Sequence, residues 1–163
     1  IEKDGTFLLT AVGNVLLVYN AATGQLVKDP IKQVYYFFAN VTLSEHEADI
    51  YCIAFTKDGK KFATGGNNCE YSVIRRADKT VIIWDHTLEP YRKYTQNDSI
   101  QCLSFNPITA QLFSASSVDW VLWSQESQEI TKEKAGARIN CCAWTHDGQH
   151  LAFGMANGVI SIR

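Results

Sequence analysis

Residues 50–59 read IYCIAFTKDG, and the same pattern returns without gaps as IQCLSFNPIT at 100–109 and as INCCAWTHDG at 139–148. Each segment starts with six mostly apolar residues that end in an aromatic side chain, which is typical of a buried β-strand. A turn signal follows each strand, because Asp-Gly tolerates the left-handed backbone region and the proline of Asn-Pro fixes φ. The chain therefore contains an internal repeat that begins with a strand and a turn.

The spacing of the repeat indicates its architecture. Further strand-like stretches follow each turn, and 39 residues separate both Ile100 from Ile139 and Trp84 from Trp123. Four short strands in about 40 residues are typical of one blade of a β-propeller. Residues 4–20 supply two strands of another copy that lacks its first strand. We predict an all-β, incomplete propeller of about four blades: blade 1 (partial) 1–30, blade 2 46–95, blade 3 97–131 and blade 4 (partial) 138–163.

The first strand of blade 2 is apolar on both faces. Alternation along the strand predicts two sets, with Ile50, Cys52 and Ala54 on one face and Tyr51, Ile53 and Phe55 on the other. A strand with one solvated face would alternate between apolar and polar residues. A propeller blade lies between two neighbouring blades, so the pattern suits that packing.

Residues 45–85 carry the closest family signature. They contain His46, then Phe62-Ala63-Thr64-Gly65-Gly66, then Ala77-Asp78-Lys79-Thr80-Val81-Ile82-Ile83-Trp84-Asp85. This stretch resembles the WD40-repeat family, in which a His, a Ser or Thr, an Asp and a Trp form a hydrogen-bonded chain within a blade. The resemblance implies a structural tetrad of His46, Thr64, Asp78 and Trp84. The predicted blade turns are Asp58, Gly59, Asp147 and Gly148.

The other repeats depart from this pattern. Blade 3 has Asn97-Asp98 where the Gly-His pair is expected and Ser117 at the place of Asp78, and blade 4 has Phe153 at the place of Thr64. On this alignment, blade 2 alone has a complete tetrad. The family's Gly before the His is also replaced in blade 2, by Glu45.

Two stretches, at about 33–44 and 67–76, exceed the 39-residue period. The first is rich in Tyr and Phe, which is unusual for an exposed loop. Three interpretations are open: ordinary loop insertion, translation of an intron or a gene-model error, and a hydrophobic docking loop.

Neither a metal site nor a catalytic site is expected. Cys52, Cys102 and Cys141 occupy equivalent positions in three blades, so we expect them to be spread around the ring as small packed side chains. His146 and His150 are separated by a turn rather than sharing a helical face. The His46, Thr64 and Asp78 set contains the groups of a nucleophilic triad, but the repeat and Trp84 explain it as structure. We therefore predict no enzyme activity, no cofactor and no metal.

Composition argues against further functional classes, namely nucleic-acid-binding and membrane-inserted proteins. The 163 residues carry 15 Lys and Arg against 17 Asp and Glu, a formal net charge of −2, which argues against nucleic acid as a partner. The most apolar run, 34–39, is far shorter than the roughly 20 residues of a spanning helix, so no direct membrane insertion is expected. Five cysteines fit reduced thiols in the cytoplasm.

Within the WD40 family, four stretches resemble the WD-repeat subunits of intraflagellar transport complex A: 97–109, 122–124, 138–144 and 154–163. The resemblance implies a fragment of a non-enzymatic scaffold or adaptor in retrograde ciliary transport and cilium assembly. It implies other complex A subunits and ciliary cargo adaptors as partners, and a location in the cytoplasm, the cilium and the ciliary base. The alternative is a WD-repeat peptide reader, or a substrate receptor in another complex such as a ubiquitin ligase. We also expect that the 163 residues do not fold alone as a cooperative monomer, because partial blades leave open strand edges.

Overall fold

The computed structural model describes residues 7–13, 15–26, 42–43, 46, 49–66, 79–85, 89–124 and 130–163. Within these ranges the regular elements are β-strands, all paired antiparallel. The described ranges contain no helix long and apolar enough to cross a membrane.

The strands form four separate sheets that follow one another along the chain. Blade 1 consists of β1 (Phe7–Val12), β2 (Val15–Asn20) and β3 (Thr42–Leu43). Blade 2 consists of β4 (Ile50–Phe55), β5 (Lys61–Gly66), β6 (Thr80–Asp85) and β7 (Pro90–Thr95). Blade 3 consists of β8 (Ile100–Phe105), β9 (Leu112–Ser116), β10 (Asp119–Trp123) and β11 (Ile130–Lys134). Blade 4 consists of β12 (Ile139–Trp144), β13 (Leu151–Met155) and β14 (Ile160–Ile162).

The strand order places the repeated segments at one edge of each sheet. In blades 2 and 3 the four strands lie in chain order, so β4 and β8 form one edge and β7 and β11 the other. The close contacts between neighbouring blades join β4 with β8 and β8 with β12. The first strands are therefore the inner strands, and the last strands are the outer ones.

Apolar side chains fill the spaces between consecutive blades. Leu16 of blade 1 packs with Ile50, Phe62, Ile82 and Trp84 of blade 2. The next layer joins Ala63 and Ile83 of blade 2 to blade 3, and the third joins Phe113 of blade 3 to Ile139, Leu151 and Phe153 of blade 4. Because blades 2 and 3 each contribute both of their faces to these layers, burial between blades is the main apolar contribution to the fold.

The predicted faces of β4 were wrong at Ile50 and Tyr51. The register of β4 against β5 slips between Ile50 and Cys52, which leaves Tyr51 as an extra, bulged residue. Ile50 therefore packs in the blade 1 layer with Ile53 and Phe55, while Cys52 and Ala54 pack toward blade 3. Strict alternation fails because a bulge moves every residue before it to the other face.

The predicted first insert overlaps a strand of blade 1. Thr42 and Leu43 fall within 33–44, yet they pair with Leu17 and Leu16 of β2 and extend that sheet beyond the predicted boundary at residue 30. The rest of that stretch up to residue 41, residue 44, and the whole second insert at 67–76 lie outside the described residues. The three interpretations of the inserts therefore stay open.

Candidate protein-binding surface

A buried hydroxyl organises the polar core of blade 2. The Trp84 indole Nε1 donates to Thr64 Oγ1 at 2.9 Å, and His46 Nε2 lies 2.7 Å from the same oxygen. His46 Nδ1 in turn lies 3.4 Å from the Thr80 hydroxyl. Since the Thr64 oxygen accepts the indole proton, its own proton can be donated to His46 Nε2. The structure thus brings together three of the four predicted tetrad residues, and the fourth, Asp78, lies outside the described residues.

Blade 3 contains an equivalent network built from different residues. Trp123 Nε1 donates to Ser114 Oγ at 2.6 Å, and Ser114 Oγ donates to Gln96 Oε1 at 2.7 Å. The Gln96 amide then donates from Nε2 to Asp119 Oδ1 at 3.2 Å. Gln96 takes the place of His46 because an amide side chain, like a neutral imidazole, can accept at one atom and donate from another.

The alignment of blade 3 was therefore wrong at the His position. It assigned Asn97-Asp98 to the Gly-His pair, whereas Gln96 stands 18 residues before Ser114, as His46 stands before Thr64. Ser117 keeps the place of Asp78, but Asp119 supplies the carboxylate of the network. Asp119 stands four residues before Trp123, as Thr80 stands four before Trp84, so its carboxylate comes from the position of Thr80. The Ser117 hydroxyl instead donates to Asp98 outside the network. A search for any side chain that both donates and accepts, rather than for His, would have found Gln96.

Asp119 is held as a buried anion. Only 2% of the residue is exposed, and its carboxylate accepts from Ser116 Oγ at 2.5 Å and from Asn97 Nδ2 at 2.6 Å. Lys132 Nζ lies 3.1 Å from it. Burial raises the pKa of Asp119, but the hydrogen bonds from Ser116, Lys132 and Gln96 outweigh burial and leave the pKa below its ordinary value. These donors engage both carboxylate oxygens and hold Asp119 within the blade 3 network.

Blade 4 places an aromatic ring where the other blades have a hydroxyl. Phe153 pairs in register with Cys142, as Thr64 pairs with Ile53 in blade 2. Its ring is 2% exposed and stacks on Phe113 of blade 3 with centroids 5.8 Å apart. Apolar packing thus replaces the hydrogen-bonded hydroxyl at this position.

The predicted Asp-Gly turns connect β4 to β5 and β12 to β13. Gly59 and Gly148 adopt φ of 70° and 68°, which favours glycine because it has no Cβ. Asp58 accepts from the Thr56 hydroxyl at 2.7 Å, and Asp147 accepts from Thr145 at 2.5 Å. These hydroxyl bonds are the largest cause that lowers the pKa of each carboxyl group. Asp58 and Asp147 therefore act locally, within their own turns.

The cysteines do not form a metal site in the described part of the chain. Cys52, Cys102 and Cys141 hold equivalent register positions, opposite Gly65, Ala115 and Gly154. The described residues contain no group of His, Cys, Asp and Glu side chains that could hold a metal ion. The thiol that meets Cys102 is Cys142, whose hydrogen bond with Cys102, together with burial, raises its pKa. Burial likewise raises the pKa of Cys52, so these thiols behave as packed apolar groups.

A repeated irregularity creates the best candidate for a binding surface. Each inner strand slips in register at the same point, between Ile50 and Cys52, between Ile100 and Cys102, and between Ile139 and Cys141. The bulged residues are Tyr51, Gln101 and Asn140. A β-bulge redirects its side chain away from the sheet pattern, and bulges are enriched beside functional sites.

These three residues, which we call the bulge arc, lie side by side on consecutive inner strands. Tyr51 is 58% exposed, and Asn140 is exposed with its Oδ1 accepting from Arg138 Nε at 2.9 Å. Gln101 is half-buried, and its amide donates to Ser99 O at 3.5 Å. One aromatic ring and two amides can contact backbone and side chains of a protein. Alternation along the strands did not predict this arc, because a bulge leaves no local sequence signal here.

Comparison with known proteins identifies the family. The family model described as IFT122 first β-propeller matches residues 1–163. The chain belongs to this family. The mouse (Mus musculus) intraflagellar transport protein 122 homolog is 49% identical over 99% of the chain, and its human (Homo sapiens) counterpart is 48% identical over the same share. The chain spans only 12% and 11% of the lengths of those two relatives.

A solved structure confirms the fold class. The β-propeller domain of Cps50 (Swd1) from Myceliophteria thermophila superposes with a TM-score of 0.75 at 15% identity, covering 99% of this chain and 49% of that one. At this identity the likeness concerns the fold alone. The prediction of an incomplete, all-β WD40 propeller is thereby confirmed for this member of the IFT122 first-propeller family.

Proposed function

We propose that this chain is part of a non-enzymatic scaffold, a WD-repeat subunit of intraflagellar transport complex A. The observation that carries the proposal is the identity of 48–49% along 99% of the chain with relatives named for intraflagellar transport. The role would be retrograde ciliary transport and cilium assembly through protein binding. The partners would be other complex A subunits and ciliary cargo adaptors, and the sites of action would be the cytoplasm, the cilium and the ciliary base.

The bulge arc supports a binding role. Tyr51 is 58% exposed on an inner strand, and aromatic residues are enriched in protein interfaces because they bury much area with little loss of conformational freedom. The polar groups of the two networks are engaged with one another inside the blades. We therefore assign partner binding to the surface and stability to the networks.

Affinity purification of the tagged full-length protein from ciliated cells tests this function. We expect complex A subunits to be recovered in comparable amounts, as quantified by mass spectrometry. Recovery of ubiquitin-ligase components, or of a single soluble client in their place, would support the peptide-reader alternative and overturn the proposal.

A variant series tests the bulge arc separately. Tyr51→Ala combined with Asn140→Ala should reduce recovery of at least one partner severalfold, since truncation of a central aromatic anchor costs about 2 kcal/mol or more. His146→Ala, an exposed residue on the turn at the opposite end of β12, is the matched control and should leave recovery unchanged. Equal recovery with both variants would remove the arc from the binding surface and leave the complex assignment intact.

A further inference from the structure

A second surface lies on the outer rim, between blades 2 and 3. The inner strands β4 and β8 of these blades pack closely, and β5 also contacts β8. Farther out, the ring of Tyr94 stacks on Trp123 with centroids 4.1 Å apart. Beyond this stack, β7 and β11 end their sheets. We call the space between these two strands, closed on the inside by the Tyr94–Trp123 stack, the outer cleft.

Strand register shows which side chains face the cleft. Tyr94 contacts blade 3, so Arg92, two residues before it on β7, lies on the same face. Trp123 faces blade 2, and Asp119 and Val121 share its face of β10. Their cross-strand neighbours on β11 are Lys134 and Lys132. Lys132 is paired with Asp119, so Arg92 on β7 and Lys134 on β11 are the cations that the two strands contribute to the cleft.

An exposed aromatic ring lies among the cations of the β7 wall. Tyr91 is 46% exposed, with Lys61 Nζ at 4.2 Å and Arg92 Cζ at 5.5 Å from its ring centroid. The pKa of Arg92 is raised, chiefly by its hydrogen bond with the Tyr94 side chain. The guanidinium therefore lies beside the Tyr91 ring of its own strand.

The positive charge is confined to one side of β11. The residues that alternate with Lys132 and Lys134 are Thr131 and Glu133, which face blade 4 and include no cation. The whole chain has a formal net charge of −2, so the basic cleft is a local feature. Lysine and proline on an edge strand also discourage edge-to-edge aggregation. That role explains charge on one strand, but it does not require cations on two neighbouring edge strands together with an exposed ring on one of them.

We propose that the outer cleft binds an extended acidic segment of a partner protein. Arg92 and Lys134 would contact carboxylates of the segment, and an arginine can bind a carboxylate through two parallel hydrogen bonds. The outer edge of β7 supplies backbone donors and acceptors for an added strand. This surface is distinct from the bulge arc, which lies on the inner strands.

Fluorescence anisotropy with a labelled peptide of alternating glutamate and serine tests the proposal on the full-length protein. Arg92→Glu combined with Lys134→Glu should weaken binding at least about tenfold, because like charges then face the peptide. Lys57→Glu combined with Lys60→Glu, on the exposed turn after β4, makes the same change in net charge and should leave binding unchanged. Raising the salt concentration should weaken binding to the unaltered protein.

Three results would overturn the proposal: no binding of the acidic peptide, equal loss of binding in both double variants, or binding that survives the Arg92 and Lys134 reversals.

A parallel measurement uses vesicles of phosphatidylserine and phosphatidylcholine. Vesicle binding lost on reversal of Arg92 and Lys134, without peptide binding, would assign the cleft to a membrane surface instead. Thermal unfolding of each variant establishes that the fold is retained. Because these variants leave Tyr51 and Asn140 in place, failure here leaves the scaffold function untouched.

Discussion

Thr64 and Ser114 perform the same task with one buried hydroxyl each. Each oxygen accepts an indole N–H, and each contacts a side chain that can donate and accept, His46 in one blade and Gln96 in the other. Both hydroxyl residues have no solvent exposure. Since a buried polar group without a partner costs more than a typical hydrogen bond contributes, these single atoms have a large effect on local stability.

Replacement of Thr64 by Val should open blade 2 locally. The change keeps the shape but leaves the Trp84 N–H and His46 Nε2 without their shared partner, at a cost of about 1–3 kcal/mol. Hydrogen exchange of the full-length protein, read on peptides covering β5 and β6, measures the free energy of local opening. Thr131→Val on exposed β11 is the control. It should change the free energy of local opening by less than about 0.5 kcal/mol.

His46→Gln extends this test to the network itself. Blade 3 already uses Gln96 at this place, so the amide should retain more protection than His46→Leu, which can neither donate nor accept. Equal loss of protection in the two variants would show that ring shape, rather than hydrogen bonding, matters at this position.

Asp119 should make blade 3 sensitive to acid. The pKa of Asp119 in the folded protein lies below its ordinary value. The ionised carboxylate therefore stabilises the fold fully above the unfolded-state pKa of about 3.9. This stabilisation is lost as the pH falls through the lower pKa of the folded state. The destabilisation caused by Asp119→Asn should therefore be largest near neutral pH and shrink below about pH 4. Urea unfolding equilibrated at several pH values, followed by pulsed hydrogen exchange of β9 and β10, measures it. A mutational effect that stays constant across this range would contradict the assignment.

At the scale of strands, close contact between blades depends on small residues at particular places. Gly65 of β5 faces the inner strand of the next blade, and a Cβ there would lie 2.6 Å from Ile100 Cγ2 and 2.7 Å from Cys52 Sγ. On the other side of blade 3, the Asn106 amide donates to Gly148 O at 2.9 Å and ties the turns of two blades together. The spacing between blades is therefore set by a few contacts rather than by overall apolar content.

Gly65→Ala should push blades 2 and 3 apart. The added methyl must displace Ile100 and Cys52 in a packed layer, and overpacking of this kind typically costs about 1–3 kcal/mol. Gly136→Ala is a matched control, because nothing lies within 4 Å of the position its Cβ would take. The rate of hydrogen exchange in β5 and β8 of the full-length protein should rise for Gly65→Ala and stay constant for Gly136→Ala.

At the scale of the whole chain, the face of blade 4 that is turned away from blade 3 is apolar and exposed to solvent. Ile160 and Ile162 of β14 are 73% and 66% exposed, and Val159 beside them is 50% exposed. β14 also ends its sheet, with backbone groups available to another strand. Apolar residues on an open strand edge favour association, either with further chain or with another molecule.

The isolated 163 residues should therefore associate in solution. Light scattering of the purified chain should give a mass that rises with concentration, and Ile160→Lys with Ile162→Lys should shift it toward the monomer. Ile108→Lys is the control, since Ile108 is 63% exposed but lies on a turn rather than a strand edge. A monomeric chain with a sharp thermal transition would contradict both this expectation and the view that open blades need neighbours.

The sequence by itself predicted a repeated blade, because a 39-residue period and paired turn residues act locally, but it missed β3 of blade 1. The resemblance of residues 45–85 to the WD40-repeat family also pointed to His46, Thr64 and Trp84. Tertiary structure alone decided that Gln96 and Asp119 complete the network of blade 3, because their partners come from separate strands and a loop. It likewise decided that Tyr51 points to solvent and that Arg92 and Lys134 line one cleft. A bulge and the packing of neighbouring blades set where these side chains point, and neither follows from the alternation of residues along one strand.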